Sequence, residues 1–313
     1  MIRHLLKSHC PSLYGKVYAM KEALREGVRQ RWRRRLARQA QLRDEAANIG
    51  EAFARVLIQE RQLRTELRWS PEVPAPPHIA RDRRLHSVRI QGFAHPFYFR
   101  RNLSDLAMME QIFQRREYEA LPASDKVRLI VDCGANIGCS VVYFLARYPR
   151  ATIVAIEPDE ANFQVLSRNV KPYGERVIAL NRGVWSRTTQ LKVVPSSDGL
   201  SCAITVRPAT AGEKADIEAI TIEDASRRAG DLPIDLLKID VEGTERELFG
   251  SNYRPWLDRT RMLAIEPHGP DCEEVFFRAI AEYDTTMTRS GEYFVCTDLR
   301  RKEVSSPVPA GSP

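Results

Sequence analysis

The feature that most constrains this chain is a series of short apolar segments, each followed by a turn and a helical pattern. Arg128–Cys133, Thr152–Ile156, Val177–Leu180, Asp235–Ile239 and Met262–Ile265 are apolar without polar alternation. Strands of that kind must be covered on both faces, which predicts a parallel sheet between two layers of helices. The intervening patterns fit this. Ile137, Val141, Val142 and Leu145 share one helical face. Phe163, Leu166 and Val170 share another, behind a capping Asp159 and before the stop at Lys171-Pro172-Tyr173-Gly174. Upstream, Leu85–Ile90 and Phe97–Arg100 read as strands, and a helix from Ser104 carries Leu106, Met109, Ile112 and Phe113. After a last helix, Glu273–Tyr283, the segments Thr285–Arg289 and Glu292–Thr297 flank Ser290-Gly291 and predict a hairpin. The expected fold class is therefore α/β, a doubly wound, mostly parallel sheet with an antiparallel C-terminal hairpin, preceded by an α-helical N-terminal arm.

The arm is set apart by charge. Residues 1–70 hold 16 basic and 7 acidic side chains, whereas the other 243 residues hold 32 basic and 34 acidic ones. The overall +7 is thus a property of the arm, and the protein's basicity does not by itself indicate a nucleic-acid partner. Between Lys16 and Trp69 the composition is helical, broken only by Gly27 and Gly50. Ile49, Phe53, Val56, Leu63 and Leu67 form a short apolar seam, and Arg31, Arg33, Arg34 and Arg35 cluster ahead of it. A solvated face or self-association seam is the first expectation for residues 1–70. Contact with an anionic membrane surface is the second, and nucleic acid, for want of interleaved aromatics, the least favoured. The four prolines of PEVPAPP mark a linker over 71–84. One domain is expected over 85–300 and a disordered tail over 301–313. No apolar run is long enough for a transmembrane segment, and MIRHLLKSHC lacks a secretory apolar stretch. Cys10, Cys133, Cys139, Cys202, Cys272 and Cys296 contain no CxxC pair, so neither structural zinc nor a disulfide framework is expected. A cytoplasmic location follows as the expectation.

Three constellations carry chemistry. The first is Val131-Asp132-Cys133-Gly134-Ala135-Asn136-Ile137-Gly138 at the first strand-to-helix turn, where glycine admits close backbone approach and a helix N-terminus offers free N–H groups. Glu157, 23 residues after Gly134, ends the next strand, where an acid can accept both hydroxyls of a ribose. Asn at 136 breaks the G-x-G-x-x-G pattern of nicotinamide-dinucleotide sites. The second is Leu237-Lys238-Ile239-Asp240-Val241-Glu242-Gly243, followed by Thr244 and Glu247 at capping-box spacing. The third is Ile265-Glu266-Pro267-His268. In an open α/β sheet all three fall on one C-terminal edge.

VDCGANIG…AIEPD, LLKIDVEGTE and AIEPH together closely resemble the FkbM family of S-adenosylmethionine-dependent methyltransferases. The likeness spans about Leu85 to Thr297, including Asp105 and Glu117-Tyr118, and KIDVEG is its specific part. It implies a class I methyltransferase-like sheet and an O-methyltransferase acting on hydroxyls of sugars, polyketides and related metabolites. By the same resemblance, Asp132, Gly134, Asn136 and Gly138 would hold the methionine end of the cofactor. Glu157 would bind the ribose, Asn181 would border the adenine, and Asp240 and Glu242 would face the methyl group and acceptor.

In-line methyl transfer needs alignment, and an alcohol needs a base or a metal. The expectation is that Asp240, Glu242 or His268 takes the proton. A magnesium or manganese ion held by Asp240, Glu242, Glu266 and His268 is the less favoured route, and no metal ligand is assigned. Nucleic-acid amino-group methylation is disfavoured, because Asp240-Val241-Glu242-Gly243 lacks the Pro-Pro-aromatic run expected after the fourth strand. A non-catalytic scaffold whose basic arm mediates interactions is the alternative of a different class. A loop over Ser196–Thr210 would select the acceptor.

Overall fold

In the computed structural model of the chain, residues 85–90, 92–100, 103–194 and 205–303 are described. The basic arm, the proline-rich linker and most of the Ser196–Thr210 loop lie outside them.

Seven strands form the central sheet: β3 (Leu129–Cys133), β4 (Thr152–Ile156), β5 (Val177–Leu180), β10 (Leu236–Ile239), β11 (Leu263–Ile265), β12 (Tyr283–Ser290) and β13 (Tyr293–Arg301). Their spatial order is β12-β13-β11-β10-β3-β4-β5. All neighbouring pairs from β5 to β11 are parallel, and β13 runs antiparallel between β11 and β12. The doubly wound sheet and its closing hairpin are as expected. The hairpin does not extend the edge in sequence order, because its second strand inserts beside β11. Successive strands are added outward on one side from β3 to β5 and on the other from β10 to β11, so the ends of β3 and β10 flank the crevice in which such sheets bind ligands.

Two apolar layers cover the sheet. One holds α1 (Leu103–Met109) with the π-helical turn Glu110–Gln114 that continues it, α2 (Cys139–Arg147) and α3 (Glu160–Val170). The other holds α4 (Ile222–Arg227), α5 (Glu245–Gly250), α6 (Arg254–Leu257) and α7 (Pro270–Ile280). Every residue of β3 is buried, as its unbroken apolar run requires. Asp159 caps α3 by accepting the Asn162 N–H at 2.7 Å, as predicted.

The ribbon β1 (Leu85–Val88) and β2 (Phe97–Arg100) docks on the first layer through buried polar side chains. Arg100 donates three hydrogen bonds to Asp105 and one to Asn162, and Asn169 accepts the Tyr98 N–H at 2.6 Å. A second sheet, order β6-β9-β7-β8, was not anticipated: β6 (Gly183–Val184), β7 (Gln190–Val194), β8 (Thr205–Pro208) and β9 (Ile217–Ile220). Its strands are short and, β6 apart, half-exposed, so their apolar signal is weak. It packs on a small core of Trp185, Leu191, Val206 and Ala219. Tyr283, expected at the end of the last helix, instead opens β12.

Candidate active site

The turn after β3 is fixed by backbone. Gly134 and Ala135 both donate to the Ile156 carbonyl at 2.9 Å, tying the turn to the end of β4. Gly134 has φ +83°, and a Cβ there would lie 1.9 Å from the Asp240 carbonyl oxygen, so the position admits only glycine. Asn136 also takes a left-handed conformation, φ +48°, and its own Oδ1 accepts the Ile137 N–H at 2.8 Å. That local bond is what lets asparagine stand where glycine would otherwise be needed. Gly138 faces α3, where a Cβ would come within 2.9 Å of Leu166 Cδ1.

Glu157 reaches back to this turn. Its Oε2 accepts the Asn136 N–H at 2.8 Å and its Oε1 the Asp159 N–H at 2.9 Å. It is only 5% exposed, and burial raises its pKa to about 7 against the pull of those two donors. Asn181 donates to the carbonyls of Glu157 and Pro158, bracing the same strand end. Asp132, fully buried, accepts from Ser140 Oγ at 2.5 Å. The five residues expected on the cofactor side, from Asp132 to Glu157, and Asn181 beside them thus occupy adjoining strand ends.

Asp240, Glu242, Glu266 and His268 meet on the neighbouring rim, at the ends of β10 and β11. His268 Nε2 lies 3.6 Å from Asp240 Oδ1, 3.4 Å from Glu242 Oε2 and 3.8 Å from Glu266 Oε1. Its Nδ1 lies 2.9 Å from Glu245 Oε1. Glu245 is fully buried and also accepts the N–H groups of Val241 and Gly243, at 3.0 and 2.9 Å. Between them Glu242 is held at φ +50°, a conformation that costs a non-glycine residue about 1 kcal/mol or more. Asp240 accepts from the buried Tyr293 hydroxyl at 2.7 Å, and Lys238 Nζ stands 3.5 Å from the same Oδ2.

These contacts sort the proton affinities. Burial pulls the His268 pKa down, but the Glu245 bond and the surrounding carboxylates prevail and raise it to about 10. Burial lifts Glu242 to about 7, and burial together with the Asp240 charge lifts Glu266 to about 9. Asp240 is also buried, yet Lys238, His268 and Tyr293 hold it below its ordinary value. One ligand atom each from Asp240, Glu266 and His268 lies within 4.8 Å of the others, the only such three-residue grouping among the described residues.

Two parts of the site differ from, or go beyond, the sequence reading. Thr244 makes no capping hydrogen bond from its side chain, and Glu247 instead accepts from Ser186 Oγ. Glu245, two residues earlier, organises the turn, because only it reaches the inward N–H groups of the strained segment. Lys238, Glu245 and Tyr293 had no role assigned. Lys238 carried a signal nonetheless, since a charge inside a central apolar strand must have buried partners. Cys133, Cys139, Cys272 and Cys296 are free and buried, so no disulfide links the described residues. No helix among the described residues is long and apolar enough to cross a membrane.

A family model described as the methyltransferase FkbM domain matches residues 132–292, which run from the first site residue to the hairpin tip. The chain is 32% identical over 196 residues to methyltransferase sdnD of Sordaria araneosa, covering 51% of this chain and 75% of that protein. It is 26% identical over 159 residues to methyltransferase 1 of Beauveria bassiana, covering 44% of this chain and 64% of the relative. The solved structure of a methyltransferase FkbM from Methylobacillus flagellatus aligns with 17% identity and a TM-score of 0.42, over 60% of this chain and 47% of that one. With just over half of its residues matched by the family model, and with its reversed strand inserted beside β11, the chain belongs to the FkbM methyltransferase domain family and has a class I methyltransferase fold.

Proposed function

We propose that the protein is an S-adenosylmethionine-dependent O-methyltransferase acting on a hydroxyl of a saccharide or secondary metabolite. The observation that carries this reading is that Glu157 and the Gly134 turn adjoin the Asp240–Glu242–His268 rim on one sheet edge. The donor set fits the cofactor. A carboxylate has about four lone-pair positions, and the two backbone N–H groups on Glu157 leave acceptor capacity for ribose hydroxyls. Asp132, Gly134, Asn136 and Gly138 would frame the methionine end, and Asn181 the adenine side. When bound, the cofactor supplies an electrophilic methyl on a sulfonium.

The chain's own work is alignment and proton removal. Of the three base candidates, Glu242 is best supported. Its pKa of about 7 leaves it substantially ionised at neutral pH, and it is partly exposed at the rim. His268, with a pKa of about 10, is already protonated there and serves as a fixed cation beside Glu242 and Asp240. Asp240 is committed to Lys238 and Tyr293.

A neutral acceptor is favoured over a polyanion. Glu117, Glu242, Glu266 and Glu292 share the field around Asp240, while Lys238 and His268 are already paired. With both cations already paired, the rim offers a phosphate no free positive partner among the described residues. A second reading, metal assistance, is favoured only by the spacing of Asp240, Glu266 and His268.

Calorimetric titration with S-adenosylmethionine and S-adenosylhomocysteine tests the proposal, with Glu157→Ala as control. Binding by the wild type and its loss in the variant are expected. A folded wild type that binds neither would sink the reading. Methyl transfer surviving exhaustive chelation would remove the metal-assisted version.

A further inference from the structure

Lys238 lies in the middle of β10 with its side chain 2% exposed. Its Nζ donates to the Gly134 carbonyl at 2.6 Å and reaches the Cys133 carbonyl at 3.4 Å. Asp132 Oδ1 stands 3.3 Å away and Asp240 Oδ2 3.5 Å away. Burial opposes the charge, and the two carboxylates more than restore it, so the ammonium stays protonated. These partners come from three places: the end of β3, the turn that follows it, and the rim beyond β10. The turn and the rim are already in contact, since a Cβ on Gly134 would strike the Asp240 carbonyl.

We infer that Lys238 is a positioning residue that pins the Gly134 turn to Asp240 and so sets the spacing between the cofactor side and the acceptor side of the site. Its functional meaning rests on the methyltransferase reading above. The physical basis is charge order. Without the ammonium, the Asp132 and Asp240 carboxylates and the Gly134 carbonyl would present only negative ends to one another in a low-dielectric interior. The turn is the less tightly tied part: Gly134, Ala135 and Asn136 bind the end of β4 on one side, and toward β10 its Gly134 carbonyl is held by Lys238, whereas β3 and β10 are paired along their lengths.

The rival explanation is that Lys238 merely neutralises Asp132 for stability. Lys238→Met in the full-length chain, and Lys238→Met combined with Asp132→Asn, separate the two. Ile130→Ala, which thins the core on β3, serves as a variant that lowers stability without touching Lys238. Hydrogen exchange is followed at Gly134–Gly138 and, for comparison, in β4 and β13. Binding of S-adenosylhomocysteine is measured below each variant's melting transition.

We expect Lys238→Met to speed exchange at the turn about tenfold beyond the change in β4 and β13, and to weaken binding about tenfold. Ile130→Ala should do neither. The double variant should recover melting temperature but not turn protection, and exchange is its only readout of positioning because Asp132 itself lies on the proposed cofactor side. Unchanged exchange and affinity in Lys238→Met would overturn the inference, as would full recovery of turn protection in the double variant. If Lys238→Met does not fold, the double variant decides by exchange at the turn. If the wild type does not bind the probe, the cofactor reading fails, and the exchange result still decides the positioning role.

Discussion

Glu245 holds His268 through Nδ1 at 2.9 Å, and because a buried carboxylate can only accept, the ring donates. That single bond leaves Nε2 facing Asp240, Glu242 and Glu266. Glu245→Gln should destabilise the protein by about 3 kcal/mol, since an amide cannot accept from Val241, Gly243 and His268 with both of its ends. It should also lower the His268 pKa from about 10 toward its ordinary value, measured by NMR on labelled histidine. An unmoved His268 titration would show that Glu245 does not control the ring.

Glu242→Gln should reduce turnover by roughly 10²–10⁴-fold once an acceptor is found, with cofactor affinity little changed. In the wild type the rate should rise with pH through about 7, as Glu242 loses its proton, and that limb should vanish in the variant. Retention of the limb in Glu242→Gln would move the base elsewhere.

Gly134 and Gly212 both have positive φ, but only Gly134 is hemmed in. Gly212→Ala, with nothing within 4 Å of the added carbon, should cost about 1–2 kcal/mol from backbone strain alone. Gly134→Ala adds a collision with the Asp240 carbonyl and should cost more than about 3 kcal/mol. Denaturant titration of the two variants gives the comparison, and equal losses would contradict the packing described here.

Ligand-free stability should fall as pH rises from about 5 to 9. Glu117, Glu157 and Glu242 have folded pKa values of about 7 against ordinary values of 4.5, and His268 about 10 against 6.5. In each case the folded state binds more protons, so the contribution is full below the ordinary pKa and is lost on passing the folded one. Asp240, shifted downward, opposes this only in acid. A melting temperature that climbs between pH 5 and 9 would reverse the assignment.

Asp105 is fully buried beneath Arg100, which also binds Asn162 on α3. Removing the carboxylate in Asp105→Ala leaves a guanidinium without its partner and should cost about 3–5 kcal/mol. Proteolysis near β1 and β2 should accelerate first, because this network docks the ribbon on the first helical layer. A loss under about 1 kcal/mol would mean that the ribbon is held by its apolar side chains alone.

The parallel part of the central sheet was legible because its strands are largely apolar on both faces, which a sheet covered by two helical layers accommodates. The glycine turn, Glu157, Asp240, Glu242 and His268 were legible as strand-end residues, and the sheet edge brings them together. The four-stranded second sheet was not, since half-exposed strands such as Gln190–Val194 carry no distinctive pattern. Nor was Glu245, whose spacing is overshadowed by the better-known Thr244–Glu247 pairing that the folded turn does not use.

Sequence alone determined the order of the parallel strands, the edge on which chemistry falls and the family motifs, because local periodicity and residue type suffice for each. Tertiary structure alone decided which groups carry protons. The charge states of His268, Glu242 and Lys238 depend on burial and on charged partners up to 106 positions away along the chain. Desolvation and Coulomb energy follow distance in space, which the linear order of residues does not contain.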